Sequence, residues 1–122
     1  MRIVVTTTAP DLDSPVDPRF GRGAYFVVVD TTTLEWQAHP NPAAAASGGA
    51  GIRAAQFVAE QKADGVISGD FGPNAHQALT AAGVGMYLFG TSASARQAVE
   101  RLKAGELESP GGSAREGRQP RG

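Results

Sequence analysis

The stretch GVISGDFGPNAHQALTAAG (residues 65–83) joins a short apolar run to a helical pattern through a glycine-rich loop. Val66 and Ile67 predict a short central strand. After the loop, the i, i+3, i+4, i+7 spacing of small and apolar residues predicts one buried helical face, formed by Ala75, Ala78, Leu79 and Ala82. Gly83 is typical of a helix end. The stretch therefore predicts a strand, a loop and a helix of an α/β fold.

Four more runs in the chain have the composition of strands. Ile3–Val5 and Tyr25–Val29 are rich in β-branched residues, which predicts two largely buried strands. Leu34–Ala38 alternates apolar and polar residues, and the turn-like segment Asp30–Thr33 precedes it, so a hairpin with the second strand is expected. Met86–Phe89 is the last predicted strand.

Two more helices are predicted between and after these strands. The first covers residues 47–63, after a loop at His39–Pro42 that two prolines keep extended. Its predicted buried face consists of Ile52, Ala55, Phe57, Val58 and Ala59. The last helix begins in a capping box at Ser94 and ends at Gly105. Its buried face is predicted to consist of Ala95, Ala98, Val99 and Leu102.

The order strand, hairpin, helix, strand, helix, strand, helix predicts a mixed sheet of about five strands, because parallel strands need helical crossovers. The expected architecture is a three-layer α/β/α fold. Residues 1–107 are predicted to form one domain. Residues 108–122 are rich in Gly, Pro, Ser and Arg and poor in apolar residues, so a flexible tail is expected there.

The overall composition argues against several classes of function. The net charge is −1 and 19% of residues are charged, so no broad field favours nucleic acid or an acidic membrane. The chain has no cysteine, which excludes cysteine-ligated zinc or iron-sulfur sites within this chain alone. The N-terminal apolar run is too short for a signal peptide or a membrane span. A cytoplasmic location without membrane or nucleic-acid binding is the expectation.

Two glycine-rich loops, at 47–51 and 69–74, open the first two predicted helices. In open α/β sheets, ligands bind at the carboxyl ends of strands, where helix N-termini present N–H groups and a partial positive charge. Neither loop is a phosphate-binding P-loop, because no Lys followed by Ser or Thr closes it. The alternative is that these glycines only allow tight turns between strand and helix.

A third loop, with the sequence VDPRFGRG (residues 16–23), lies between the first strand and the hairpin. Arg19 and Arg22 offer planar sets of donors to an anionic ligand, and Phe20 offers an apolar surface. The alternative is structural: Arg19 pairs with Asp17, and Phe20 fills the core beneath the loop.

Four motifs in this order carry a resemblance to a known family: DPRFGR at 17–22, NP at 41–42, GGAGIRAAQ at 48–56 and GDFGPNA at 69–75. The chain is similar, from Met1 to about Leu107, to the dinitrogenase iron-molybdenum cofactor biosynthesis family of nitrogen fixation, of the NifX-like and NifB C-terminal type. The resemblance implies a ribonuclease H-like α/β/α fold and a binding protein rather than an enzyme. It also implies that the chain carries a metal-sulfur cluster and hands it to a partner. By matching position, the pocket residues would be Arg19, Phe20, Gly21, Arg22, Gly48, Gly49, Gly51, Gly72, Pro73 and Asn74.

The lack of cysteine limits how such a cluster could be held. An iron-sulfur or molybdenum-containing cluster would need imidazole, carboxylate, or only hydrogen bonds and charge. His76, in the first turn of the second helix, is the candidate metal ligand; the alternative is that it only covers Leu79 and Thr80 from solvent. His39 is a weaker candidate.

Three functions remain open at this stage. A cluster carrier would have a cluster donor or recipient protein as its partner. A metal-dependent nuclease would need several converging carboxylates, but the first strand supplies none, and Asp30 and Asp70 stand alone. A regulatory or adaptor module would bind a protein partner without a cofactor. The sequence does not indicate an oligomeric state.

Overall fold

The structure, a computed structural model, describes residues 1–44 and 48–110, and these ranges contain five strands and three helices. Ser47 and residues 111–122 of the predicted tail lie outside the described residues. In chain order the elements are β1 Arg2–Thr7, β2 Tyr25–Asp30, β3 Trp36–Pro40, α1 Ala50–Glu60, β4 Gly65–Ser68, α2 Pro73–Ala81, β5 Gly85–Leu88 and α3 Ala95–Lys103.

The strands form one mixed sheet in the order β3-β2-β1-β4-β5. β1 pairs antiparallel with β2, which pairs antiparallel with β3, while β1 pairs parallel with β4 and β4 with β5. Val4 in β1 lies opposite Val28 on one side and Val66 on the other. The carboxyl ends of β1, β4 and β5 therefore lie at the same edge of the sheet.

Helices cover both faces of the sheet, as the run of β-branched residues in β1 requires. Val4 and Val66 pack on one face with Val58 of α1 and Leu79 of α2. On the other face, Ile3, Val5 and Ile67 pack with three residues of α3, namely Ala95, Ala98 and Val99. The prediction of a mixed five-strand α/β/α fold is confirmed, whereas the narrower ribonuclease H-like assignment stays a prediction.

The buried face of α1 differs from the predicted one. Ala54, Ala55 and Val58 are buried, whereas Ile52 is 42% exposed and Ala59 is also exposed. At about 100° per residue, Ile52 lies about 200° around the helix from Ala54, so the prediction for Ile52 was wrong. In α2, Ala75 and Leu79 are buried as predicted, but Ala78 is only half-buried and Ala82 lies beyond the last helical turn.

The hairpin is displaced by two residues from its predicted position. The Asp30 carboxylate accepts the backbone N–H groups of Thr32 and Thr33, which lowers the pKa of Asp30. Leu34 has a left-handed backbone (φ 63°) and closes this turn with a hydrogen bond to the Asp30 carbonyl, so the strand starts only at Trp36. His39 consequently lies in β3, where its ring packs against Phe57 at 5.5 Å, and not in a loop.

Among the described residues, no helix combines the length and the apolar character that are needed to cross a bilayer. The predicted boundary at 107 is followed by a contact with the sheet, because the carbonyl of Glu108 accepts a hydrogen bond from the N–H of Leu88 in β5.

Candidate functional site

Three chain segments meet at the carboxyl edge of the sheet. The first is the arginine loop, which we define as residues 17–24 and which follows β1 after the segment 8–16. The second is the loop between β4 and α2, and the third is the start of α1. The N–H of Phe20 donates to the carbonyl of Asp70 (3.3 Å), which joins the first two segments. A Cβ atom on Gly21 would lie 3.2 Å from the backbone N of Gly51, and one on Gly51 would lie 3.3 Å from the Cβ of Ala75. Glycine therefore allows the arginine loop and the first turns of α1 and α2 to come together.

These segments surround a depression of about 320 Å³, which we call the three-loop pocket. Its lining consists of Arg19, Phe20, Gly21, Arg22, Ala50, Gly51, Asp70, Gly72, Pro73, Asn74 and Ala75. The structure thus brings together all of the residues predicted around a pocket except two. Gly48 and Gly49 are not in the lining, but Gly49 (φ 69°) is the left-handed N-cap from which α1 starts beside the pocket.

The N-termini of α1 and α2 offer backbone donors to this pocket. In the described residues, neither helix has a side-chain cap, since the N-cap residues are Gly49 and Gly72. First-turn N–H groups have no acceptor within their own helix, so those of Gly51, Asn74 and Ala75 are directed to the end of the helix. The helix dipole adds a partial positive charge there. Both features favour an anion.

The N-terminus of α3 lies near the same edge but is closed by the protein itself. The Ser94 hydroxyl accepts the N–H of Gln97 (3.1 Å), as the predicted capping box requires. The first two N–H groups of the helix, from Ala95 and Arg96, donate to the carbonyls of Ser14 (2.9 Å) and Leu12 (2.8 Å) in the loop after β1. Among the described residues, the sheet edge therefore has two helix N-termini without a side-chain cap and one that is already satisfied.

The side chains of the pocket carry charges of both signs. Arg19 forms an ion pair with Asp17, with Nε 3.2 Å from Oδ1, and Asp17 is 3% exposed. Burial raises the pKa of the Asp17 carboxyl, but hydrogen bonds from the side chain and backbone of Arg19 outweigh it, so the pKa lies below its usual value. Arg22 adds a cation and Asp70 an anion, and both side chains are exposed.

Phe20 forms the floor of the pocket and does not cover its mouth. It is 1% exposed and packs against Phe26 (5.9 Å between ring centroids) and Phe71 (5.4 Å). The structure therefore shows the structural alternative for both residues: Phe20 fills the core beneath the loop, and Arg19 pairs with Asp17. The pocket forms above this floor.

Two residues that hold the pocket together were not identified as such from the sequence. Asn41 is buried, and its amide donates to the carbonyls of Gly21 (3.3 Å) and Gly23 (2.8 Å). Its side-chain oxygen accepts the N–H of Ala43 (2.8 Å), so it ties the arginine loop to the segment before α1. The Asn-Pro motif is a signal of a turn, but the contact with Gly21 is distant in sequence. The second residue that holds the pocket together is Asp17, whose carboxylate accepts hydrogen bonds from the backbone and side chain of Arg19.

His76 lies outside the three-loop pocket. It lines a separate apolar groove of about 420 Å³ between α2 and β5, together with Thr80, Met86 and Tyr87. The described residues contain no group of three His, Cys, Asp or Glu side chains placed to hold a metal ion. His76 shares a shallow surface depression on α2 with Pro73, but it does not line the three-loop pocket, in which the arginines lie.

Comparison with known proteins gives a family match and similar solved structures. The model of the family described as dinitrogenase iron-molybdenum cofactor matches residues 1–105. The apo form of the orange protein from Desulfovibrio gigas is 45% identical, with a TM-score of 0.85 over 91% of this chain and 93% of that one. A NifB-like protein of the DUF35 family from Thermotoga is 30% identical, with a TM-score of 0.76 over 88% and 91%. A search of curated proteins gives no match.

Proposed function

The chain belongs to the dinitrogenase iron-molybdenum cofactor family, and on this premise we propose that it is a non-catalytic carrier of an anionic metal-sulfur cluster. The cluster binds in the three-loop pocket and is passed to a partner protein. The observation that carries this proposal is the convergence of two uncapped helix N-termini and two arginines on one pocket.

The chemistry of the pocket suits a cluster that arrives complete. The whole chain has no cysteine, so no thiolate of the protein can replace a sulfide of the cluster. Backbone N–H groups and guanidinium groups donate hydrogen bonds to an anion without a covalent bond. A cluster held in this way leaves without ligand exchange, which is what a carrier needs.

The pocket is poorly equipped for hydrolysis. Among the described residues of its lining Asp70 is the one carboxylate, whereas two-metal hydrolysis needs several converging acidic groups. In the part of the chain that the structure describes, the lining also has no Ser, Thr, Lys or His to act as nucleophile or base. These features support a binding protein rather than an enzyme.

Titration of the purified chain with tetrathiomolybdate tests the proposal, because this anion is a small soluble metal sulfide with a strong absorbance. We expect saturable binding of one anion per chain, with a shifted absorption spectrum, and much weaker binding of molybdate at the same ionic strength. The absence of saturable binding of thiomolybdate, and of a larger cluster extracted from cells, would contradict a carrier role. An adaptor that binds only protein would then be the better account.

We expect Asp70→Asn to strengthen thiomolybdate binding. The exposed carboxylate lines the pocket and repels an anion, and exposed charges typically interact by about 0.2–1 kcal/mol. The affinity should therefore rise by up to about fivefold at low salt, and the gain should shrink as salt is added. Isothermal titration calorimetry at two salt concentrations measures both effects. An unchanged affinity at low salt would show that the anion binds elsewhere.

His76→Ala should leave the affinity for thiomolybdate unchanged, because His76 lines the groove between α2 and β5 and not the three-loop pocket. The matched comparison is Asn74→Ala, whose residue lies in the pocket lining. A loss of affinity in His76→Ala, determined by the same absorbance titration, would instead support a direct metal–imidazole bond.

A further inference from the structure

We propose that Asp17 is a positioning residue for the cluster. Its carboxylate holds the Arg19 guanidinium at the rim of the three-loop pocket, and the arginine loop closes around that carboxylate. This inference rests on the proposed function, because it concerns the same pocket. It assigns a role in anion binding to a buried residue that itself carries a negative charge.

The arginine loop folds back over the Asp17 carboxylate and is tied to it by hydrogen bonds. Oδ1 accepts the backbone N–H of Arg19 (3.0 Å) and its Nε (3.2 Å), and Oδ2 accepts Nη2 (3.3 Å). The nearby backbone N–H of Ala24 also contributes to lowering the pKa of this carboxyl. A Cβ atom on Gly23 would lie 3.4 Å from the carboxyl carbon of Asp17, so the chain passes directly over this group.

The backbone of Asp17 is fixed to the sheet. Its N–H donates to the carbonyl of Thr6 (2.8 Å), and its carbonyl accepts the Thr6 hydroxyl (2.6 Å). The hydroxyls of Thr6 and Ser68 lie 2.9 Å apart, and all three residues are buried. Asp17 is thus anchored to the carboxyl ends of β1 and β4, the two strands that lead into the pocket.

The exposure of the two partners shows how the pair can act on a ligand. The Asp17 side chain is 4% exposed, whereas that of Arg19 is 65% exposed. The ion pair engages Nε and Nη2 of Arg19. In the described part of the chain, Nη1 and the outer N–H of Nη2 take no part in this pair and can donate to a ligand, since guanidinium carries five donors in a fixed plane. A guanidinium already held in one orientation loses less conformational freedom when the ligand binds.

The sign of one mutational effect separates positioning from simple electrostatics. Asp17→Asn removes a negative charge close to the pocket, so charge alone predicts tighter binding of an anion. If Asp17 acts by positioning Arg19, the same variant binds about tenfold less tightly, as expected for the loss of a charged hydrogen bond. In an Arg19→Ala background, Asp17→Asn should cause no further loss, because the positioned group is already absent.

The experiment is a titration of wild type, Asp17→Asn, Arg19→Ala and the double variant with tetrathiomolybdate, with thermal melts of each protein. Arg19→Lys is a second test that does not alter the buried carboxylate: it keeps the charge, loses the planar fork, and should bind as weakly as Arg19→Ala. Wild-type affinity in Asp17→Asn or in Arg19→Lys would overturn the inference while leaving the carrier function intact. A wild-type protein that binds no thiomolybdate and no extracted cluster would overturn both.

Discussion

Leu79→Ala should lower the free energy of unfolding by about 2–5 kcal/mol, the usual cost of truncating a fully buried leucine. Leu79 is 0% exposed and packs in the core between α2 and the sheet, in the same cluster as Val66 and Val84. Urea unfolding followed by circular dichroism measures the change through the transition midpoint.

Ile52→Ala is the matched control for this prediction. The sequence pattern predicts that both residues are buried, but Ile52 is 42% exposed. Its truncation should cost less than about 1 kcal/mol, because the partly exposed Ile52 side chain buries less apolar surface on folding than that of Leu79. Equal losses in the two variants would show that the orientation of α1 described above is wrong.

Arg22→Ala should weaken binding of tetrathiomolybdate by roughly ten- to hundredfold, which corresponds to about 1.5–3 kcal/mol for a hydrogen bond to a charged group. Arg22 is exposed and lines the three-loop pocket, so its truncation removes a cation from the site without opening the core. The thermal midpoint should stay close to that of wild type.

Lys103→Ala is the control for the change in net charge. Lys103 lies in the last turn of α3, at the opposite end of that helix from the carboxyl edge of the sheet. This variant should bind thiomolybdate like wild type. If both variants lose affinity equally, the anion responds to overall charge and not to a pocket around Arg22.

The fold could be predicted well from the sequence because its main signals are local. The β-branched run in β1 is buried on both faces, as such runs usually are in sheets with helices on each side. The glycine and serine signals at the ends of α2 and α3 also coincide with observed helix ends. The error at Ile52 arose because alanine-rich helices give a weak periodic signal, so a single large residue outweighed the true face of Ala54, Ala55 and Val58.

The site was only partly predictable. The glycine loops and Arg22 could be placed at the carboxyl edge from the order of strands and helices alone. The support provided by Asp17 and Asn41 could not, because it depends on hydrogen bonds to residues that are distant in sequence, such as Thr6 and Gly21. His76 shows the same limit: its place in α2 was predicted, but the groove that it faces is formed with β5.

The most direct test of the central claim is a map of the backbone amides that respond when thiomolybdate binds, measured by ¹⁵N-edited NMR during a titration. We predict the largest shifts at Gly51, Asn74 and Ala75, whose first-turn N–H groups lie at the pocket. The amides of Ala95 and Arg96 should change little, because the carbonyls of Ser14 and Leu12, in the loop after β1, already accept their hydrogens. Shifts concentrated in the groove around His76 and Tyr87, or at the start of α3, would contradict a cluster site formed by the three loops.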